Sequence, residues 1–196
     1  MLGFYTPSFF GLAAFTVCFF GWALFELWVN LRQGRSGSTN RDRFSRYLII
    51  VGIIGGFVAA MFATIFLRLA DITVARPAVF YIGLVLMIVG LIFRAYAIRQ
   101  LGKFFLPEVI VQPDHRIYQE GLYRYLRHPS YTGTLMTVFG YGLALTNWVS
   151  LLIMLTVFFK VYSIRIVVEE AALIEAFGDE YRQYMKRTKR LIPYIL

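Results

Sequence analysis

The run Gly121-Leu-Tyr-Arg-Tyr-Leu-Arg-His-Pro-Ser-Tyr-Thr-Gly133 sets Arg124, Arg127 and His128, three tyrosines and a proline against the start of an apolar segment. A second polar group, Arg165 with Glu169 and Glu170, stands at the far end of the next apolar segment. Guanidinium groups hold carboxylates through forked hydrogen bonds. Acidic pairs receive cations, and tyrosine faces accept flat or positively charged ligands. Ionisable side chains beside hydrocarbon are costly to keep there and mark functional sites by default. Two such groups, joined by one helical hairpin, predict an enzyme site at a membrane surface.

The spacing narrows the chemistry. Arg165 and Glu169 lie four residues apart on one helical face. Arginine comes first, which is the less favourable order for a local ion pair. Glu170 adds like charge beside it, so the acidic pair is read as a receiver of a cation. His128 and His115 are the two histidines, thirteen residues apart. They have no supporting cysteine and no zinc-type spacing. No metal is expected, and His128 is read as a hydrogen-bonding group at the interface. Pro129 fixes the backbone beside it, and Gly133 allows close approach of a helix or ligand. Gly140-Tyr141-Gly142 lacks the third glycine and the preceding strand of a dinucleotide site, and is read as helix packing.

The elements that must position these groups are membrane helices. The chain is 59% apolar and 16% charged over 196 residues, with mean hydropathy +0.63. Such a composition excludes an ordinary soluble domain. Continuous apolar stretches at about 8–31, 47–67, 77–97, 131–146 and 148–168 are read as helices, because lipid offers the backbone no hydrogen bonds. Of the 20 lysines and arginines, 18 fall on one side of five such spans, leaving only Arg68 and Arg76 on the other. The positive-inside rule then puts the N-terminus outside and the C-terminus in the cytoplasm. The net charge of +9 is read as topology plus attraction to anionic lipid. Nucleic-acid binding is not expected, because the arginines flank spans and form no separate basic domain.

The expected architecture is therefore an all-α integral membrane protein. Three N-terminal spans (1–97) lead into a region (98–196) with a loop at 98–130, a hairpin of spans four and five turning at Thr146-Asn147, and an amphipathic C-terminal helix. In that helix Leu173, Phe177, Tyr181 and Tyr184 recur at spacing three to four. The pattern fits an interfacial cover for the hairpin or a lid over a cofactor. The two regions form one integrated domain. Gly52, Gly56 and Ala60 form a small-residue ridge read as packing inside a monomer, with weak self-association as the alternative. Trp22, Trp28, Tyr47, Tyr81 and Trp148 are read as interfacial anchors. The first charge is Glu26, so no cleaved signal peptide is expected. Cys18 is a lone thiol in the first span, and no C-terminal lipidation cysteine is present.

The motif Gly-x-Tyr-x-x-x-Arg-His-Pro-x-Tyr-x-Gly at 121–133, followed by Arg165-x-x-x-Glu169-Glu170, Phe177-Gly178-x-x-Tyr181-x-x-Tyr184 and Arg190-x-x-Pro193, resembles the isoprenylcysteine carboxyl methyltransferase family. The resemblance covers about 98–194. The wider group includes phospholipid N-methyltransferases of related membrane fold. It implies an integral-membrane, S-adenosylmethionine-dependent methyltransferase, with S-adenosylhomocysteine as product. Carried over, the cofactor pocket would involve Gln112, His115, Ile117, Tyr123, His128, Pro129, Tyr131 and Glu169. Arg165 would handle the substrate, and Arg165 and Glu169 would be the catalytic pair. One departure stands out: relatives often carry a run of three or four glutamates where Val167 and Val168 precede Glu169 here.

The implied reaction is carboxyl O-methylation of an isoprenylcysteine-like acceptor drawn from the bilayer, in a multi-pass protein whose site faces the cytoplasm. Aromatic faces at Tyr123 and Tyr131 suit an adenine or a sulfonium, and Glu169 suits amino or hydroxyl groups. A carboxylate acceptor is ionised at neutral pH and needs no base; an amine acceptor, the alternative, needs His128 or Glu170 as one. Two further readings are a non-enzymatic membrane scaffold of the same fold and a nicotinamide-dependent reductase, the latter disfavoured by the Arg-His-Pro-x-Tyr and Glu-Glu motifs.

Overall fold

The computed structural model describes residues 5, 8–31, 40–102, 105 and 117–192. Their helices are α1 (Phe9–Leu31), α2 (Asn40–Phe66), α3 (Arg76–Leu101), α4 (Pro129–Ala144), α5 (Trp148–Phe177) and α6 (Asp179–Arg187), with 3-10 turns at Arg68–Ala70 and Gly121–Arg124. Four of them, α1, α2, α3 and α5, are long and apolar enough to cross a membrane. The fifth expected span, α4, has 16 residues. That is roughly 24 Å of helix against a hydrocarbon core of about 30 Å. It is also the most enclosed helix. Pro129, Ser130, Gly133, Thr134, Thr137, Gly140 and Gly142 are among its buried residues, so its partners are other helices.

Small residues set how closely those partners come. A Cβ at Gly90 of α3 would lie 2.6 Å from the Thr137 amide nitrogen, and one at Gly133 of α4 would lie 2.7 Å from the Arg94 amide nitrogen. Backbone therefore meets backbone along the α3–α4 seam. Gly140 faces Gly83, Leu86 and Met87, and Gly142 faces Leu151, which is the helix packing expected of that pair. Gly52 and Gly56 of α2 receive Val161 and Val157 of α5, so the small-residue ridge is used within the monomer.

An aromatic cluster ties α1 to the bundle. Phe57 of α2 meets Tyr141 of α4 edge-on at 4.5 Å between ring centroids, and Trp22 of α1 at 4.9 Å. Trp22 is buried, which corrects its reading as an interfacial anchor: it faces Phe57 rather than the head groups. The outward faces carry Phe20, Leu24, Val51, Val58, Ile82, Val85 and Ile92, apolar and exposed as lipid contact requires.

The two ends of the bundle are closed differently. At one end Asn147 caps α5 by accepting from the Ser150 amide, while its Nδ2 donates to Leu67 O and Asp71 Oδ1, each at 3.0 Å. Arg76 pairs with Asp71 at 3.1 Å and donates to Thr146 Oγ1, fixing the α4–α5 turn. At the other end the C-terminal segment runs back along 125–128. The Arg127 amide donates to Lys189 O at 2.7 Å, the His128 amide to Arg190 O, and Thr132 Oγ1 to Leu191 O. Helix α5 runs past the expected end at 168 to Phe177 and breaks at Gly178, whose φ of 53° favours glycine. Helix α6 begins there, burying Tyr181 and Tyr184.

Candidate active site

The residues singled out in sequence come from three elements. Tyr123 lies on the 3-10 turn, His128 caps α4, Tyr131 is in its first turn, and Arg165 and Glu169 sit one turn apart on α5. Pro129 opens α4 because a helix's first turn needs no amide donor there. Tyr123, His128, Tyr131, Arg165 and Glu169 all line one cavity of about 220 Å³. Pro129 is buried, and neither it nor Ile117 is among the residues that line the cavity. Gln112 and His115 lie outside the described residues.

Within the cavity the Tyr131 hydroxyl donates to Glu169 Oε2 at 2.6 Å. The His128 ring stacks on the Tyr131 ring, 5.4 Å between centroids and 8° from parallel. His128 Nδ1 is 3.8 Å from Glu169 Oε2 and its Nε2 is 3.4 Å from Glu170 Oε1, so the imidazole spans both acids. Arg165 is buried to 3% exposure. The Tyr123 hydroxyl donates to Ala97 O, and burial pushes its ionisation well above the ordinary tyrosine range.

Glu169 and Glu170 have separate tasks. The Glu169 side chain is 30% exposed and lines the cavity. Glu170 is buried, accepting from Arg127 Nε at 2.9 Å and from Arg190 Nη2 at 2.8 Å. The expected receiver of a cation thus holds two of the protein's own at Glu170. Arg127 also donates to Met185 O and Thr188 O, stitching α5 to the end of α6. Hydrogen bonding to Glu170 holds the Arg190 guanidinium even further above its usual range.

Sequence reasoning missed part of the lining. Glu26 of α1 and Arg94 of α3 form an ion pair at 2.7 Å on the cavity wall, beside Ser130 and Tyr162. Their signal was available, since both are ionisable residues within apolar helices. The apolar part of the lining includes Trp22 and Val29 of α1 and Ile49, Ile50, Ile53 and Ile54 of α2. Ile50 and Ile54 are also exposed, on a helix long and apolar enough to cross a membrane.

The family model for the isoprenylcysteine carboxyl methyltransferase family matches residues 82–175, the stretch from α3 through Glu169. The chain is 40% identical over 108 residues to a protein-S-isoprenylcysteine O-methyltransferase of Schizosaccharomyces pombe, covering 54% of this chain and 46% of that protein. It is 34% identical over 131 residues to the Saccharomyces cerevisiae protein of the same name, covering 66% and 55%. A solved structure of a eukaryotic intramembrane Ras methyltransferase, isoprenylcysteine carboxyl methyltransferase, aligns with TM-score 0.59 and 26% identity, covering 74% of this chain and 52% of that one. The chain spans about half the length of these family members.

Proposed function

We propose that this protein methylates the carboxylate of an isoprenylcysteine-like, lipophilic acceptor, using S-adenosylmethionine, at the cytoplasmic face of a membrane. The observation that carries this reading is the cavity itself. Arg165 and Glu169 line it together with Tyr131 and His128, and its apolar lining includes isoleucines of α2, a helix long and apolar enough to cross a membrane.

The residues present fit the cofactor. S-adenosylmethionine, when bound, supplies a methyl group on a sulfonium and leaves as a neutral thioether once an acceptor oxygen takes the methyl. Glu169 is exposed to the cavity, and Tyr131 engages one of its oxygens. Its remaining carboxylate lone pairs would accept from amino or hydroxyl groups. The Tyr123 and Tyr131 rings would offer faces to the adenine or the cationic sulfur. Arg165 would hold the acceptor carboxylate by a forked pair of hydrogen bonds. That carboxylate is already ionised at neutral pH, so no proton need move. The amine alternative needs a base, and Glu170 is committed to Arg127 and Arg190.

The charge bias along the chain supports an N-terminus outside and the cavity mouth, with α6 as its cover, in the cytoplasm. The cofactor enters there from water, and the acceptor enters laterally past α2. An acceptor tail left in lipid keeps about 0.8 kcal/mol per methylene of favourable burial.

The test is a thermal-shift titration of the detergent-solubilised protein with S-adenosylhomocysteine, repeated on Glu169→Gln and Arg165→Ala. The ligand raises the Tm of the parent protein. Glu169→Gln weakens binding by about 1.5–3 kcal/mol, the range for a hydrogen bond to a charged group. Arg165→Ala keeps binding and loses turnover of a farnesylated cysteine acceptor. No shift at millimolar ligand in a folded preparation removes the enzyme reading and leaves the scaffold.

A further inference from the structure

The Glu26–Arg94 pair lies inside the helical bundle and takes no part in the roles assigned above. Arg94 Nε is 2.7 Å from Glu26 Oε1, and Nη2 donates to Glu26 Oε2 at 2.9 Å. The remaining nitrogen, Nη1, turns the other way, donating to Ser130 Oγ at 2.8 Å and to Ser130 O at 3.2 Å. Ser130 stands between Pro129 and Tyr131 in the first turn of α4. One buried guanidinium therefore links α1, α3 and the turn that presents His128 and Tyr131 to the cavity. Gly133, one turn further on, rests against the Arg94 backbone, so the same residue fixes the helix by side chain and main chain.

Cohesion of the bundle does not by itself call for charge here. Replacing a buried ion pair by apolar side chains of similar volume is often neutral or stabilising, because desolvation offsets the attraction. What an apolar pair lacks is the rigid fork that reaches Glu26 on one side and both Ser130 oxygens on the other.

We propose that Glu26 and Arg94 are positioning residues, setting the rotation and depth of the first turn of α4 so that the Tyr131 hydroxyl meets Glu169. Their proposed role acts through Ser130 and Tyr131, which they hold in place. The activity side of this inference rests on the methyltransferase reading; the geometric side does not. Small displacements of groups that align a transfer reaction cost far more in rate than in stability.

The deciding experiment is the double variant Glu26→Met/Arg94→Met in the full chain, purified in detergent. Its Tm is expected to equal or exceed that of the parent, while its structure loses the 2.6 Å Tyr131–Glu169 hydrogen bond. Turnover falls by about 10- to 100-fold. The loss appears in kcat and in S-adenosylhomocysteine affinity, while the acceptor KM, set by the α2 isoleucines, stays unchanged. Arg94→Lys, which keeps the charge and loses the fork, does not rescue, and Ser130→Ala moves the same readouts in the same direction. Parent-like kinetics with an intact Tyr131–Glu169 contact in the double variant overturns the proposal, as does full activity in Arg94→Lys. Should the double variant fail to fold, Arg94→Lys and Ser130→Ala decide. Should the parent show no methyl transfer, the functional reading fails, and the Tyr131–Glu169 distance in the double variant still decides the positioning claim.

Discussion

The Tyr131 hydroxyl hydrogen bonds to Glu169 Oε2 at 2.6 Å, joining the first turn of α4 to a position near the end of α5 across 38 residues of sequence. This contact gives the cavity its polar floor, because it fixes the ring that His128 stacks on and the carboxylate that faces inward.

Tyr131→Phe removes this bond and keeps the ring. Loss of a hydrogen bond to a charged acceptor costs about 1.5–3 kcal/mol. Glu169 is partly exposed and regains some of that from water, so the effect on stability lies at the low end. The larger effect is on S-adenosylhomocysteine affinity, which drops roughly ten-fold as Glu169 loses its fixed rotamer. Isothermal titration in detergent measures it, and unchanged affinity would show that Tyr131 does not orient Glu169.

Glu170→Ala damages the protein in a different way. It leaves Arg127, whose side chain is 9% exposed, without its carboxylate. Breaking a buried pair by removing one partner costs about 3–5 kcal/mol. The expected result is a large fall in Tm and early proteolysis at 179–192, the segment that Arg127 and Arg190 tie to α5. A Tm within a degree or so of the parent contradicts the clasp.

Gly133→Leu tests the α3–α4 seam. Even a Cβ there would lie 2.7 Å from the Arg94 amide nitrogen and Cβ, too close for a relaxed contact. Overpacking of this kind costs about 1–3 kcal/mol or more. Both the denaturation midpoint and the yield of folded protein fall, and an unchanged midpoint shows that the helices can part there.

The orientation is tested with single cysteines in a Cys18→Ala background. Leu69→Cys lies at the end held by Asp71 and Asn147, and Lys186→Cys at the cavity end; both positions are exposed. An impermeant maleimide added to intact cells labels position 69 and spares 186. The reverse pattern inverts the proposed topology.

Much of the site was legible because its signals are local. Arg165 and Glu169 share a helix, and Arg-His-Pro-x-Tyr occupies one turn and its cap, so spacing alone places each group. The hairpin turn at Thr146-Asn147 then brings the two groups together. Glu26 and Arg94 were each visible as ionisable groups in apolar stretches, but their pairing was not legible, because it joins positions 68 residues apart. Apolar content ends the third span near 97, which makes Arg94 look like a flanking cation. Helix α3 instead continues to Leu101, so Arg94 lies two turns inside it. Trp22 was misplaced for a related reason: composition locates an aromatic residue along a helix and says nothing of the face it occupies. The end of α5 was drawn early because Glu169 and Glu170 break the apolar run, although charge does not stop a helix and Gly178 does.

Helix α5 is 30 residues long. That makes it about 45 Å from end to end, while the hydrocarbon it crosses is about 30 Å thick. Roughly the last three turns therefore stand clear of the lipid tails, and Arg165 falls where the tails give way to head groups. The end of α5 that carries Arg165 and Glu169 is a cantilever anchored in the bilayer, and on the proposed function the thickness of the membrane would set the height at which Arg165 meets an acceptor carboxylate. A thicker or thinner bilayer would then change that register without altering a single protein contact.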